Sequence, residues 1–297
     1  MTSIAAEPAA VRRGRRPTTV AALVIVLAVL AACSNDKDPA PDSSPSGSST
    51  TSARSGYVVL GDSFSAGSGA PPYDVSEVCL VSSDGYPATV ADLDVSLDPP
   101  KVRACGGAAV DQVLHPWSLL NQPAQLSDEP DPRVGLVTLT VGGNDAALLP
   151  QILACATTGC AGVSDSAATT DVVMALADEL VDGLYPAMRA AYPKARLVHV
   201  GYPRLTSTAD GATCPWLAPG EVAEPGRLVD VVNASLRDAA QRFGEVEFVD
   251  VGSAFAGHEL CTATPWVHGV DAGPSALHPT VEGYVAIGKA IAAALGS

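Results

Sequence analysis

The chain has 297 residues, 47% of them hydrophobic and 16% charged, with 17 basic against 32 acidic residues and a formal charge of −15. That balance argues against nucleic acid as a partner and against electrostatic docking on anionic lipid. The length beyond the N-terminal region suits one domain with a large core.

The first 33 residues read as a processing signal. Arg12, Arg13, Arg15 and Arg16 form a positive n-region, and Thr19 to Leu30 is an apolar stretch too short to span a bilayer comfortably. It ends in Leu30-Ala31-Ala32-Cys33, which resembles the bacterial lipobox, where cleavage precedes a cysteine that becomes diacylated. An ordinary signal peptide with an incidental cysteine is the plainer alternative. Arg15-Arg16 hints at twin-arginine export, which Pro17-Thr18-Thr19 fits poorly, so the export route stays open. Residues 34–56 are Ser, Pro, Asp and Thr with little to bury and read as a disordered tether, spanning roughly 25–30 Å as a coil. The expected location is the outer face of the cell membrane, held by lipid on Cys33, or the medium.

The domain is expected from Tyr57 to Ser297. Without the signal, 13 basic and 31 acidic residues remain, a net charge of −18. A tether rather than charge would keep such a domain near a membrane. Six cysteines accompany Cys33, and an even number in an exported chain reads as disulfides. Fifteen connectivities are open; local order favours Cys79–Cys105, Cys155–Cys160 and Cys214–Cys261. Zinc on Cys155 and Cys160 is the competitor, disfavoured because no His or second Cys pair sits nearby in the sequence.

Buried strands are expected at Tyr57–Leu60, Lys101–Ala104, Val134–Val141, Arg196–Gly201 and Glu245–Val251. Helical spacing covers Thr169–Tyr192, Glu221–Phe243 and Thr280–Leu295. Strands alternating with helices predict an α/β fold with a parallel sheet covered on both faces. Sites in such sheets gather at the carboxyl ends of the strands, and three motifs fall there.

Gly61-Asp62-Ser63 follows the first strand, and Ser63 is the candidate nucleophile, although Asp and Ser also cap helices well. Cys105-Gly106-Gly107 follows the second, where a backbone N–H of Gly107 can point into a site unobstructed by a side chain; a plain tight turn is the alternative. Gly142-Gly143-Asn144-Asp145 follows the third, with the Asn144 amide a neutral donor suited to a developing negative charge. Asp145 reads as a cap or a group that orients a neighbour. His278, in Leu277-His278-Pro279-Thr280, precedes the last helix on a loop stiffened by proline. Among the other histidines, His199 reads as a core residue, His115 and His268 as surface or loop, and His258 as a buttress.

These blocks carry a resemblance. Gly61-Asp62-Ser63, Gly107, Gly143-Asn144-Asp145 and His278-Pro279, in this order, are similar to the SGNH hydrolases of the GDSL esterase/lipase superfamily. The actinobacterial secreted branch is most similar, with three sequential disulfides and Phe255-x-Gly257-His258-x-x-Cys261 before Trp266. The resemblance implies a three-layer α/β/α sandwich on a five-stranded parallel sheet. It also implies an oxyanion hole of Ser63 N–H, Gly107 N–H and the Asn144 side chain. Most members place an acid three residues before the histidine, where this chain has Ser275. A Ser63–His278 dyad oriented by the Ser275 carbonyl is therefore expected, with Asp271 and then Asp250 as runners-up.

The implied activity is hydrolysis of lipid or other acyl esters by a monomer, with no metal or organic cofactor. A carbohydrate acyl esterase of envelope polysaccharide and a catalytically silent lipoprotein are the competing classes. Gly69–Ser83 and Thr206–Gly220, with Trp216, are expected pocket walls. Asn233-Ala234-Ser235 matches a glycosylation sequon but falls within an expected helix.

Overall fold

The computed structural model describes residues 54–74, 78–160, 167–207 and 213–297. The signal segment, Cys33 and nearly all of the tether lie outside these residues. Among the described residues no helix is long and apolar enough to cross a membrane.

Five parallel strands form one sheet: β1 (Gly56–Gly61), β2 (Lys101–Val102), β3 (Val134–Thr140), β4 (Arg196–Val200) and β5 (Val246–Val249), in the order β2-β1-β3-β4-β5. Val59 pairs with Val102 on one side and Thr138 on the other, and His199 lies between Leu139 and Phe248. The Val/Leu runs are nearly continuous because helices cover both faces. Ordered structure starts slightly earlier than expected. Ser55 N–H donates to Ser96 O and Ser55 O accepts from Asp98 N–H, so the last tether residues already pair with the domain.

The helices are α1 (Ser63–Ala66), α2 (Tyr86–Leu93), α3 (Val110–Leu114), α4 (Leu148–Thr158), α5 (Ala167–Glu179), α6 (Tyr185–Ala191), α7 (Glu224–Phe243) and α8 (Val281–Leu295). α2 packs on α8 and α5 on α7, giving the three-layer α/β/α sandwich. The helix expected over Thr169–Tyr192 is divided by a π turn at Leu180–Leu184. Pro186, near the start of α6, lacks the N–H that an unbroken α-helix would donate to Asp182, and a wider turn accommodates that loss.

Chain direction switches beside β1, since β2 lies on one side of it and β3 on the other. The crevice at such a switch point is where a sheet of this kind can hold a ligand. The loops carrying Ser63, Gly107 and Asn144 all leave the sheet there.

Candidate active site

Ser63 opens α1 directly after β1. Asp62 is the cap, its Oδ1 accepting the Phe64 N–H at 2.9 Å, so the two sequence readings of this dipeptide coexist in neighbouring residues. Gly61 before it has φ +117°, and an added Cβ would lie 2.1 Å from Thr140 O, so no side chain fits. Gln125, 64 residues away, clamps that same peptide: Gly61 N–H donates to its Oε1 at 2.6 Å and its Nε2 donates to Gly61 O at 2.8 Å. Ser65 Oγ accepts the Thr140 N–H at 3.0 Å. The turn under the serine is held by β3 through Thr140 and by the Gln125 loop.

His278 Nε2 lies 2.8 Å from Ser63 Oγ, across 215 residues of sequence. The His278 loop is fastened to the His268 segment, with His268 N–H donating to His278 O at 2.9 Å and Leu277 N–H to His268 O at 3.1 Å. Thr280 caps α8 just beyond. The Phe64 ring packs 5.2 Å from the imidazole.

The orienting group differs from expectation. Nδ1 lies 3.0 Å from the Ala276 carbonyl, whereas the Ser275 carbonyl accepts the backbone N–H of His278, also at 3.0 Å. The short 3₁₀ turn Gly273–Ser275 closes one residue earlier and turns the next carbonyl toward the ring. A carbonyl only accepts, so Nδ1 carries the proton and Nε2 presents its lone pair to the serine hydroxyl. Asp271 is exposed and Asp250 is engaged with Arg237 and the Gly252 N–H; neither takes an imidazole nitrogen. Burial lowers the His278 pKa to about 4, an effect that the Ala276 carbonyl opposes more than the Ser275 carbonyl does.

The oxyanion candidates lie on neighbouring turns. A Cβ placed on Gly106 would sit 3.9 Å from Ser63 Cβ, which puts the Gly106-Gly107 turn against the nucleophile. Asn144 is exposed, and its Nδ2 donates to Ala108 O at 2.9 Å. That bond ties the amide to the Gly107 turn and leaves its second N–H for a ligand. Asp145 accepts the Val110 N–H at 3.1 Å and so holds the start of α3, as its cap reading implied.

Other residues fall as follows. His199 is fully buried, and its ring nitrogens face Tyr185 OH and Val141 O. His258 stacks flat on Trp266 at 3.6 Å between centroids, with Nδ1 on the Thr264 carbonyl. His268 is more than a surface residue: its Nε2 donates to Gly69 O at 2.8 Å. His115 lines a cleft of about 750 Å³ beside Trp117 and the Cys79–Cys105 disulfide. Of the expected pocket walls, Cys79 and Val81 border this cleft. Trp216 stands over Gly269, and residues 75–77 and 208–212 lie outside the described residues.

Cys214–Cys261 is the second disulfide. Cys155 and Cys160 are not joined, contrary to expectation; they are two buried thiols in contact. The end of α4 and the Gly159 turn bring them together. Burial raises both thiols. The sequon residue Asn233 is buried and uses both ends of its amide on Tyr202, which leaves no free acceptor for a glycan.

A serine hydroxyl against a buried imidazole, at the carboxyl edge of a parallel α/β sheet, defines a serine ester hydrolase. The chain matches the GDSL-like Lipase/Acylhydrolase family over residues 59–286 and belongs to it. It is 34% identical over 236 residues to Lipase 1 of Streptomyces coelicolor, covering 78% of this chain and 83% of that one. To a lipase of Streptomyces rimosus it is 33% identical over 230 residues, covering 76% and 81%. Among solved structures it is similar to phospholipase A1 from Streptomyces albidoflavus, with TM-score 0.64, 30% identity, and 82% of this chain and 100% of that one covered. The extracellular lipase of S. rimosus aligns with TM-score 0.59 and 30% identity over 78% and 97% of the two chains.

Gln125, Tyr202 and the Ala276 carbonyl escaped the sequence reading, and Asn233 entered it only as part of a sequon. The side chains of Gln125, Tyr202 and Asn233 act across separations of 64, 140 and 31 residues, which no local motif records.

Proposed function

We propose that this enzyme is an exported hydrolase of lipid esters that works through a Ser63–His278 dyad and an oxyanion hole of Ser63 N–H, Gly107 N–H and Asn144 Nδ2. The observation that carries it is the 2.8 Å contact from His278 Nε2 to Ser63 Oγ, with the opposite ring nitrogen on the Ala276 carbonyl. Ser63 Oγ attacks the ester carbonyl carbon while Nε2 takes its proton. The negative charge that forms on the carbonyl oxygen is held by the three N–H donors. The intermediate collapses to an acyl-enzyme as the imidazolium returns its proton to the departing alcohol. Water then attacks the acyl carbon with the same nitrogen as base, restoring Ser63. No step calls for a metal or organic cofactor.

A carbonyl fixes the tautomer but stabilises imidazolium less than a carboxylate would. The load therefore shifts toward the oxyanion donors, each worth about 10²–10³ in kcat.

The lipase and phospholipase names of the relatives support a lipid ester, and the extracellular relative supports export. Acylation of Cys33 would then keep the domain at the outer face of the membrane as a monomer. The test is a panel of nitrophenyl esters from acetyl to palmitoyl, with Ser63→Ala as control. Turnover rising with chain length fits the reading; acetyl-only activity points to a carbohydrate deacetylase and overturns it. For the anchor, Cys33→Ser should move the protein from the membrane fraction to the medium, and an unchanged membrane fraction would refute lipidation.

A further inference from the structure

Tyr202 lies two residues past β4 and is fully buried, with 1% of its surface exposed. Asn233 on α7 grips its backbone at both ends: Tyr202 N–H donates to Asn233 Oδ1 at 2.8 Å, and Asn233 Nδ2 donates to Tyr202 O at 2.8 Å. Its ring meets Phe64 edge to face at 5.1 Å between centroids. The main chain and the ring are thus both held before the hydroxyl makes any contact.

The hydroxyl then joins two catalytic turns. Gly143 N–H donates to the Tyr202 oxygen at 2.7 Å, and the phenol O–H donates to Asp62 Oδ2 at 2.6 Å. Asp62 Oδ1 takes the Phe64 N–H at 2.9 Å. The direction of each bond follows from chemistry. An amide N–H only donates, so the phenol oxygen accepts it, and the phenol proton goes to Asp62 Oδ2 when that carboxyl is ionised. An unbroken line of hydrogen bonds runs from the Gly142–Gly143 peptide, one residue short of Asn144, to the peptide following Ser63. Gly143 has no space for a side chain on this path, since an added Cβ would lie 2.8 Å from the phenol oxygen. Burial raises Asp62 to about 7, against the opposing effect of the bonds from Tyr202 and Phe64.

We propose that Tyr202 is a positioning residue that sets the separation between Ser63 and the Asn144 amide, acting through Asp62 on one side and Gly143 on the other. The inference rests on the oxyanion-hole reading of Asn144. Tyr202 touches no reacting atom; its effect is on where the donor stands relative to the nucleophile. A misplacement of about 1 Å in such a site costs on the order of 10²-fold in rate.

The test is a double-mutant cycle on the purified enzyme with nitrophenyl butyrate, reading kcat, KM and the thermal midpoint for each variant. Tyr202→Phe keeps the ring against Phe64 and removes only the bridge. It should lower kcat about 10–100-fold, with KM within about twofold. Asn144→Ala should lower kcat about 10²–10³-fold. Once the amide is gone its position no longer matters, so adding Tyr202→Phe to Asn144→Ala should cost no more than about threefold further. A merely structural tyrosine would give the same factor in both backgrounds, and that result overturns the inference, as does an unchanged kcat in Tyr202→Phe alone. An unchanged kcat in Asn144→Ala would instead remove the oxyanion reading, and this inference with it. Should Tyr202→Phe not fold, Asp62→Asn decides by the same cycle. Its Oδ1 still accepts from Phe64, but its amide leaves the phenol proton without an acceptor.

Discussion

His199 and His278 are both buried, both have oxygen partners on each ring nitrogen, and burial lowers both to about 4. Their tautomers are opposite. His199 Nε2 faces the Val141 carbonyl at 3.1 Å and must carry the proton, so Nδ1 accepts from Tyr185 OH at 2.7 Å. His278 carries its proton on Nδ1, toward Ala276, and offers Nε2 to Ser63. His199 stands within β4 and its partner is a phenol whose pKa burial raises, so the pair has no electrophile to reach. His278 stands on a loop at the sheet edge and faces a primary alcohol beside open turns. The lesson is that burial and a depressed pKa do not distinguish a base from a core residue. What the second nitrogen faces, and whether a substrate can approach that partner, does.

The largest effect expected from breaking this contrast is at the nucleophile. Ser63→Ala should reduce turnover about 10⁴-fold or more, measured by ester hydrolysis and by loss of fluorophosphonate labelling. His278→Gln should cost about 10²–10⁴-fold. Residual labelling by the phosphonate at a slowed rate would separate loss of the base from loss of the serine.

The pH profile sharpens the comparison further. Only the neutral imidazole accepts the serine proton, so kcat/KM should be level from about pH 6 upward into the neutral range and fall as pH drops through about 4. A half-point near the ordinary histidine value of about 6.5 would show that His278 is solvated rather than buried. His199→Leu should leave kcat per folded molecule within about twofold while destabilising the fold by about 1–3 kcal/mol, because Tyr185 OH and Val141 O lose their partner. The linkage has a definite sign. Between about pH 4 and 6.5 the unfolded chain binds protons that the two native histidines refuse, so stability falls as pH falls through that window. Asp62, raised to about 7, works in the opposite sense. His199→Leu should therefore make the acid-side loss of stability shallower, as chemical denaturation at pH 4.5 and 7 would reveal.

The smallest effect belongs to Asp271→Asn, which should change hydrolysis by less than about twofold, since a carbonyl and no carboxylate meets Nδ1. A drop of several hundredfold in the same assay would reinstate an acid behind His278.

Much of this arrangement was legible in the one-dimensional pattern. Apolar runs rich in Val and Leu marked β1, β3 and β4 because a strand covered on both faces has little polar side to show, whereas the edge strand β2 is only Lys101–Val102, exposed and half-buried. Ser63, Gly107 and Asn144 stood out because each follows such a run, where a parallel sheet exposes its loops. His278 could be singled out because proline and a helix start follow it. The helices α1 to α4 were not marked in advance; the first three are only four to eight residues long, too short for a helical period to stand out. The carbonyl on Nδ1 is that of Ala276, one residue on from the expected Ser275, because the Gly273–Ser275 turn, rather than any side chain, decides which oxygen faces the ring.

Local order along the chain determined the strands and pointed to Ser63 and His278, the proposed nucleophile and base, since those depend on hydrophobic period and on turn residues adjacent in sequence. Tertiary structure alone decided that Gln125 grips Gly61 and that Tyr202 links Asp62 to Gly143. A hydrogen bond between residues far apart in sequence leaves no period or motif behind. It exists only once the sheet order has brought its donor and acceptor within about 3 Å of each other.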